Sequence, residues 1–307
     1  MNTIVFILYK RGAYFGKIGH TFRLLRVNKK ITLALASQGI VTIAFLSRFE
    51  RGQSDISVSN LLLLLRRINV EIFEFVHINE FNNGINVSFE REVSDCYITK
   101  DIRGLDRLVD QVNNDLIEAT SFKTLKIIML TALIDDLTGK SLSKKQQQMV
   151  VSHLSSVNSW TAFEFYLFGN VLFMLPIEQV IVLTKLMIKS GLSFILLKND
   201  NITTAFRILN NTVTYCCDEG AYDDGWFFLG MMKKLAGHPR QFYERMKVLS
   251  LEGLLAYYSR PRQIALDMIH KALQVCYLVG GQEVYQRERQ AFVRVLEDDE
   301  LKYVTNF

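Results

Sequence analysis

The residues best suited to chemistry form one short string, Leu46-Ser47-Arg48-Phe49-Glu50-Arg51-Gly52, which runs on into Ser54-Asp55-Ile56-Ser57. A single carboxylate among arginines points to an ion pair. Glu50 is placed to accept from Arg26 or Arg23, and whichever arginine is left over can meet an anion such as phosphate. Around the string, Lys17, Arg23, Lys29, Lys30, Arg48, Arg51, Arg66 and Arg67 make a basic set. Such a set suits a sugar-phosphate backbone, whose contacts position a protein without carrying sequence information; the alternative for each side chain is a solvated basic face. Thr42, Ile43 and Phe45 head the same segment and are candidates for base edges. Thr42, Ala44 and Phe45 offer a face that fits thymine methyls better than hydrogen-bonding edges.

A second set is spread over the C-terminal two thirds of the chain: Tyr166, Asn170, Phe206, Asn210, Tyr243, Arg245 and Gln282. An asparagine amide donates and accepts at once, which suits it to hold an extended peptide backbone, while aromatic neighbours accept apolar side chains. Helix capping and bonds between helices are the competing roles. Catalytic constellations are missing from the sequence: there is no phosphate-cradling glycine motif, no HExxH and no nucleophile elbow, and the five histidines are scattered. Cys96, Cys216, Cys217 and Cys276 show no CxxC spacing, which argues against structural zinc, and no cofactor is expected. The adjacent Cys216 and Cys217 read as packed thiols, with a redox pair as the alternative.

These residues need helices to position them. Only 3 prolines and 17 glycines punctuate 307 residues, too few for an all-β chain that must turn every ten residues or so. A hydrophobic share of 49% against 22% charged excludes the disordered class. Charge is uneven: residues 1–78 carry 11 basic against 4 acidic residues (+7), and the remainder 25 against 27 (−2). That is a basic head on a near-neutral body, and it places a nucleic-acid contact at one end only.

Ile18, Phe22 and Leu25 fall at helical spacing in a first helix from Gly16 to about Asn28. Thr32 caps a short second helix over 33–37, Gly39 supplies the turn, and a third helix runs from Thr42 to Glu50 with Ile43, Leu46 and Phe49 on its apolar stripe and Phe45 off it. Two short helices around such a turn make a helix-turn-helix. Ser57 or Ser59 caps a fourth helix through Arg67, and a fifth spans about 70–78. Residues 79–103 read as a connector. Beyond it the periodicity predicts pairs over 104–118 with 121–137, 143–156 with 159–174, 176–190 with 201–217, 219–236 with 240–259, and 261–279 with 282–297. Pro176, Pro239 and Pro261 fall at predicted helix starts, where a missing N–H costs little. The pair spacing matches helical repeats, in which one helix of each pair lines a concave face.

The stretch from Gly16 to Ile78 resembles the DNA-binding domain of the Rgg/GadR/MutR regulators, an XRE-type module. The resemblance rests on Phe22-Arg23-x-Leu25-Arg26, Ile31-Thr32-Leu33, the Ser47-to-Gly52 block and Glu71-x-x-Glu74-Phe75. It continues in Asn158-Ser159-Trp160, in Phe163-Glu164-x-x-Leu167-Phe168-Gly169-Asn170 and in Glu244-Arg245-x-Lys247-x-x-x-Leu251-x-Gly253-Leu254. It implies an all-α protein: an extension over 1–15, a five-helix head over 16–78, the connector, and a right-handed TPR-like superhelix over 104–307 that senses a ligand and dimerises. It further implies a non-enzymatic transcription regulator that binds double-stranded DNA as a homodimer and answers to a short hydrophobic peptide. The apolar recognition face leaves a second reading, a regulator that acts through its repeat domain with weak or non-specific DNA binding. Thr3 to Tyr9 is too short for a membrane span and lacks signal-peptide features, so a cytoplasmic protein is expected.

Overall fold

The computed structural model describes residues 18–82, 89–116, 118–197, 199–237 and 241–306. The N-terminal extension, Lys17 and Pro239 therefore lie outside the described residues. The chain divides into two compact units, Met1–Asp95 and Cys96–Phe307.

In the first unit, helix α1 covers 18–28. It is followed by α2 (Leu33–Ser37), α3 (Ile43–Glu50), α4 (Val58–Arg67), α5 (Ile72–Asn82) and α6 (Phe89–Ile98), whose last residues enter the second unit. Each short helix begins on a hydroxyl cap, as orphan N–H groups require: Thr32 accepts from Leu35 N, Thr42 from Phe45 N, and Ser57 from Asn60 N. Gly39 and Gly52 close the turns after α2 and α3 with positive φ. Phe22, Leu25, Ala36, Leu46, Phe49, Leu64, Leu65, Ile68, Val70 and Phe75 form the core that these helices share. A buried bond from Thr21 Oγ1 to Asn79 Oδ1 (2.8 Å) ties α5 to α1.

Two expectations for this region need correction. Helix α6 occupies a stretch of the chain read as connector, because Val93 supplies a buried anchor in a segment whose polar residues dilute the helical period. The apolar stripe of α3 is also shifted. Leu46 and Phe49 are buried as expected, but Ile43 is 51% exposed while Phe45 is half-buried. Ile43 sits at the first helical position, where it faces outward before α3 meets its neighbours.

The second unit contains α7 (Ile102–Asn114), α8 (Thr120–Thr138), α9 (Lys144–Ser156), α10 (Ala162–Val171), α11 (Ile177–Leu197), α12 (Asn199–Asp218), α13 (Tyr222–Leu235), α14 (Phe242–Ser259), α15 (Arg262–Val293) and α16 (Asp298–Val304). The second members of the pairs form one continuous row, α8 on α10, α10 on α12 and α12 on α14, while α11, α13 and α15 pack against that row from α12 to α14. This is the two-layer packing of a helical repeat array. Gly281, at φ 75°, breaks α15 into the two helices that the sequence predicts. Helix α16 extends past the last predicted pair, started by a capping box in which Glu297 and Glu300 satisfy each other's backbone. Among the described residues no helix is long and apolar enough to cross a membrane.

Close helix packing fixes two glycines. A Cβ on Gly253 would stand 2.8 Å from Ile269 Cγ1, so α14 and α15 touch there backbone to side chain. On Gly19 it would fall 1.8 Å from Phe49 O, so α1 crosses the end of α3 at a distance that only glycine allows. Gly19→Ala is expected to destabilise the head by about 1 to 3 kcal/mol or more. Both tryptophans, Trp160 and Trp226, belong to the second unit. Denaturation followed by tryptophan fluorescence should therefore be unchanged in the variant, while the far-ultraviolet circular dichroism transition gains an earlier phase; a shift of the fluorescence curve would refute the assignment.

Candidate nucleic-acid interface and repeat-domain site

The centre of the head is an ion pair. Arg26 Nε and Nη2 donate to Glu50 Oε1 and Oε2 at 2.6 and 2.7 Å, with the two side chains 8% and 3% exposed, and Arg26 Nη1 donates to Ile31 O at 2.6 Å. The fork-to-fork geometry joins the end of α1, the start of the α1–α2 turn and the end of α3 through one guanidinium. Of the two arginines open to Glu50 on sequence, the structure selects Arg26. Arg23 is exposed.

The remaining cations divide by what they touch. Lys29 Nζ donates to Asn69 O (2.7 Å), and Arg67 donates through Nη1 to Leu35 O (2.9 Å) and through Nη2 to Gln38 O (3.1 Å). Both reach carbonyls left at helix ends, which fixes where these two charges sit on the surface of the head. Arg51, at the C-cap of α3, folds its Nε back onto Ser47 O (3.2 Å). The side chains of Arg23, Lys30, Arg48 and Arg66 are exposed and have no hydrogen bond or ion pair with other described residues. On α3 itself the outward face is Ile43, Ala44 and Arg48, with Ser47 half-buried between them. The Thr42 hydroxyl is engaged as the N-cap, and Phe45 is turned partly inward.

In the repeat unit the structure brings some of the predicted residues together and separates others. Asn170 and Asn210 lie on the adjacent helices α10 and α12, which approach where Gly169 faces Ile208. Asn170 Nδ2 donates to Tyr166 O (2.7 Å) within its own helix, and Asn210 Nδ2 to Asn211 Oδ1 (3.2 Å). Asn210 Oδ1 is shielded from solvent and has no donor among the described residues. Arg207, Asn210, Asn211 and Thr214 recur at helical spacing as the open stripe of α12, whose opposite face is Phe206, Leu209 and Val213. Arg207, Asn211 and Thr214 share that stripe and are further candidates, which their helical spacing from Asn210 signals in the sequence. Phe206 is 3% exposed and belongs to the core, so it cannot receive a ligand side chain as expected. Arg245 donates to Ala236 O and Gly237 O (both 3.1 Å) and closes the end of α13. Tyr243 is exposed with the Arg287 guanidinium 5.4 Å from its ring centre, and Gln282 is exposed just after the Gly281 break. Tyr166 is half-buried on α10, one turn before Asn170.

Residues in the two C-terminal sequence strings hold the fold. Trp160 is fully buried, donates Nε1 to Leu154 O (3.1 Å) and packs edge-on against Phe165 and Phe168. Glu164 accepts from Thr161 N (2.9 Å) in a capping box. Lys247 reaches the buried Glu288 carboxylate at 2.8 and 3.0 Å. Burial pushes the Cys216 and Cys217 thiols up to about 12, with neighbouring acids adding to the effect.

A family model described as the C-terminal domain of the HTH-type transcriptional regulator Rgg matches residues 108–288, and a helix-turn-helix model matches residues 22–75. Among solved structures, the SHP pheromone receptor Rgg2 of Streptococcus dysgalactiae is 23% identical, with 91% of this chain and 100% of that one covered and a TM-score of 0.76. A Listeria monocytogenes EGD-e protein assigned as a transcriptional regulator is 18% identical over 93% and 99% of the two chains, TM-score 0.80. A bacterial peptide pheromone/receptor complex matches at 15% identity over 94% and 99%, TM-score 0.66. At these identities the likenesses establish the fold.

Glu50→Ala is expected to cost about 3 to 5 kcal/mol, because it leaves a buried guanidinium without its carboxylate. Arg23→Ala should stay within about 0.5 kcal/mol in the same circular dichroism titration. Equal losses would refute the separation of the two arginines. The thiols make a pH prediction. A raised pKa keeps Cys216 and Cys217 protonated, so at pH 8 only roughly one molecule in ten thousand carries either thiolate, and alkylation should reach them only after unfolding. Rapid labelling of either cysteine in the native protein, mapped by mass spectrometry, would contradict this.

Proposed function

The chain belongs to the Rgg family of helix-turn-helix transcriptional regulators, and from that membership we propose a cytoplasmic homodimer whose two heads each read one half-site of duplex DNA under the control of a short hydrophobic peptide. The observation that carries the DNA part is the division of α3. One side is locked by Leu46, Phe49 and the Arg26–Glu50 pair, and the other presents Ile43, Ala44 and Arg48 to solvent. A recognition helix needs both, a rigid back and an uncommitted front, and a two-fold dimer places two such fronts on successive turns of the duplex. Arg23 and Lys30 supply exposed, uncommitted charge for the phosphates on either side.

The peptide part is supported by the row of second helices. Asn170, Asn210, Asn211 and Thr214 offer amides and a hydroxyl on α10 and α12, and Asn210 Oδ1 lacks a donor. A turn of the Asn210 side chain lets that oxygen accept from the backbone N–H of an extended ligand. The pheromone receptors of similar fold support the choice of a peptide as that ligand.

For the DNA part, Arg23→Ala and Lys30→Ala should weaken binding to every duplex by a similar factor and flatten the dependence of log K on log salt by about one unit per lost contact. Gel shifts with wild-type chain in rising salt and non-specific competitor test the premise; binding that vanishes for all sequences alike would favour a regulator acting through its repeat unit alone. For the peptide part, Asn170→Ala with Asn210→Ala should leave folding and DNA binding intact but cost on the order of tenfold or more in affinity for an apolar peptide, since each backbone group left unpaired costs about 1 to 3 kcal/mol. Calorimetric titration against a panel of short apolar peptides gives the affinity, and thermal melts of the same samples separate this outcome from a loss of structure.

A further inference from the structure

Arg48 is the only cation within α3, and it stands in a different situation from its neighbours. Arg26 is consumed by Glu50 and Ile31 O, Lys29 by Asn69 O, Arg67 by Leu35 O and Gln38 O, and Arg51 holds Ser47 O. Among the described residues nothing bonds the Arg48 guanidinium. It lies one turn beyond Ala44, so the two share a face, and Ile43 with Ser47 forms the adjacent line of the same face. Thr42 has given its oxygen to Phe45 N, and Phe45 is partly buried, so neither heads the reading face.

We propose that Arg48 reads a guanine and that Ile43 and Ala44 read thymine methyls beside it, so that the preferred half-site of this chain combines a thymine step with a guanine within about two base pairs of it. The proposal rests on the DNA-binding reading and specifies its substrate. An arginine at the edge of the major groove meets guanine O6 and N7 with two parallel hydrogen bonds, the geometry a bare guanidinium fork is built for. Ile43 and Ala44 have no hydrogen-bonding side chain, and the only distinctive apolar group in that groove is the thymine methyl. The small Ala44 also leaves room for the helix to sink toward the bases, which brings the longer Arg48 within reach. Four residues of helix advance by about 6 Å against a base-pair rise of about 3.4 Å, so the two contacts fall on different base pairs, at most about two steps apart. The set of donors is asymmetric, with strong hydrogen-bonding readout at one position and contact readout at the other. Discrimination should therefore be sharp at the guanine and graded at the thymine.

The experiment is selection of duplexes from a randomised library by the full chain, repeated with Arg48→Ala, Arg48→Lys and Ala44→Gln. Wild type should enrich guanine at one position and thymine within about two base pairs of it. Arg48→Ala should lose the guanine preference by about tenfold or more and keep the thymine preference. Arg48→Lys should retain part of the guanine preference, because an ammonium still donates to O6 and N7. Ala44→Gln should move the neighbouring preference from thymine toward adenine, which an amide meets at N6 and N7. If Arg48→Ala instead lowers binding to all sequences in one ratio and takes about one unit from the salt slope, Arg48 touches phosphate and the proposal is overturned. If wild type binds duplexes without enriching any sequence, the proposal falls while DNA binding stands. If wild type binds no duplex at all, it is the DNA-binding reading that has failed.

Discussion

Every helix C-terminus leaves backbone carbonyls without partners, and the way this chain satisfies them fixes where several of its charges sit. Arg26 reaches Ile31 O past the end of α1, Lys29 reaches Asn69 O after α4, Arg67 takes two carbonyls around the end of α2, and Arg245 takes two after α13. Arg26 and Arg245 meet part-buried carbonyls, where a missing donor costs about 1 to 3 kcal/mol, whereas the bonds of Lys29 and Arg67 are exposed and return less. Arg26 and Arg245 are therefore structural first. Hydrogen bonds to backbone carbonyls leave the net +7 over the first 78 positions intact, but they fix where part of that charge sits.

The Arg26–Glu50 pair carries the same logic into the core of the head. Its five-donor fork meets one carboxylate and one carbonyl, so that α1, the following turn and α3 are held by a single planar group. The close passage of Gly19 over Phe49 O brings α1 to that contact. With the back of α3 fixed in this way, the direction in which Ile43, Ala44 and Arg48 point is set by the packing of the head and not by the ligand. For the DNA contact proposed above, that fixed backbone lowers the cost of binding.

Much of this was legible in the sequence where a period or a cap carries the information. The apolar spacing of Phe22, Leu25, Leu46 and Phe49, the hydroxyl caps and the turn glycines locate the head helices to within a few residues, and the prolines at 176 and 261 mark the starts of α11 and α15. What could not be read is which of two similar groups takes a role. Arg23 and Arg26 are equivalent on paper, and only the rotation of α1 puts one of them against Glu50. Ile43 and Phe45 changed places for a related reason: at the first turn of a helix, burial depends on the neighbours and not on the helical period. The carbonyl partners of Lys29, Arg67 and Arg245 lie 40, 32 and 9 residues away, beyond any local pattern. Phe206 was misplaced because the open stripe of α12 is offset by a single residue from the aromatic one, and a helix turns 100° in that step.

The residues by which the second unit resembles its family divide in the same way. Trp160, Glu164, Lys247 and Gly253 are each explained by packing, capping, a buried ion pair or close approach of two helices. These residues hold the repeat scaffold. The stripe of α12 with Arg207, Asn210, Asn211 and Thr214 is left open by it, and the peptide contact proposed above would lie there. Its helix packs against α10, α11, α13 and α14, so under the proposed peptide contact substitutions along that stripe are expected to change what is bound more than how the row is built. The same partition holds in the head, where α3 keeps its buried side chains and can vary Ile43, Ala44 and Arg48. A fold of this kind keeps separate the residues that make it stand and those that make it specific, and the second group can be altered with little effect on the first.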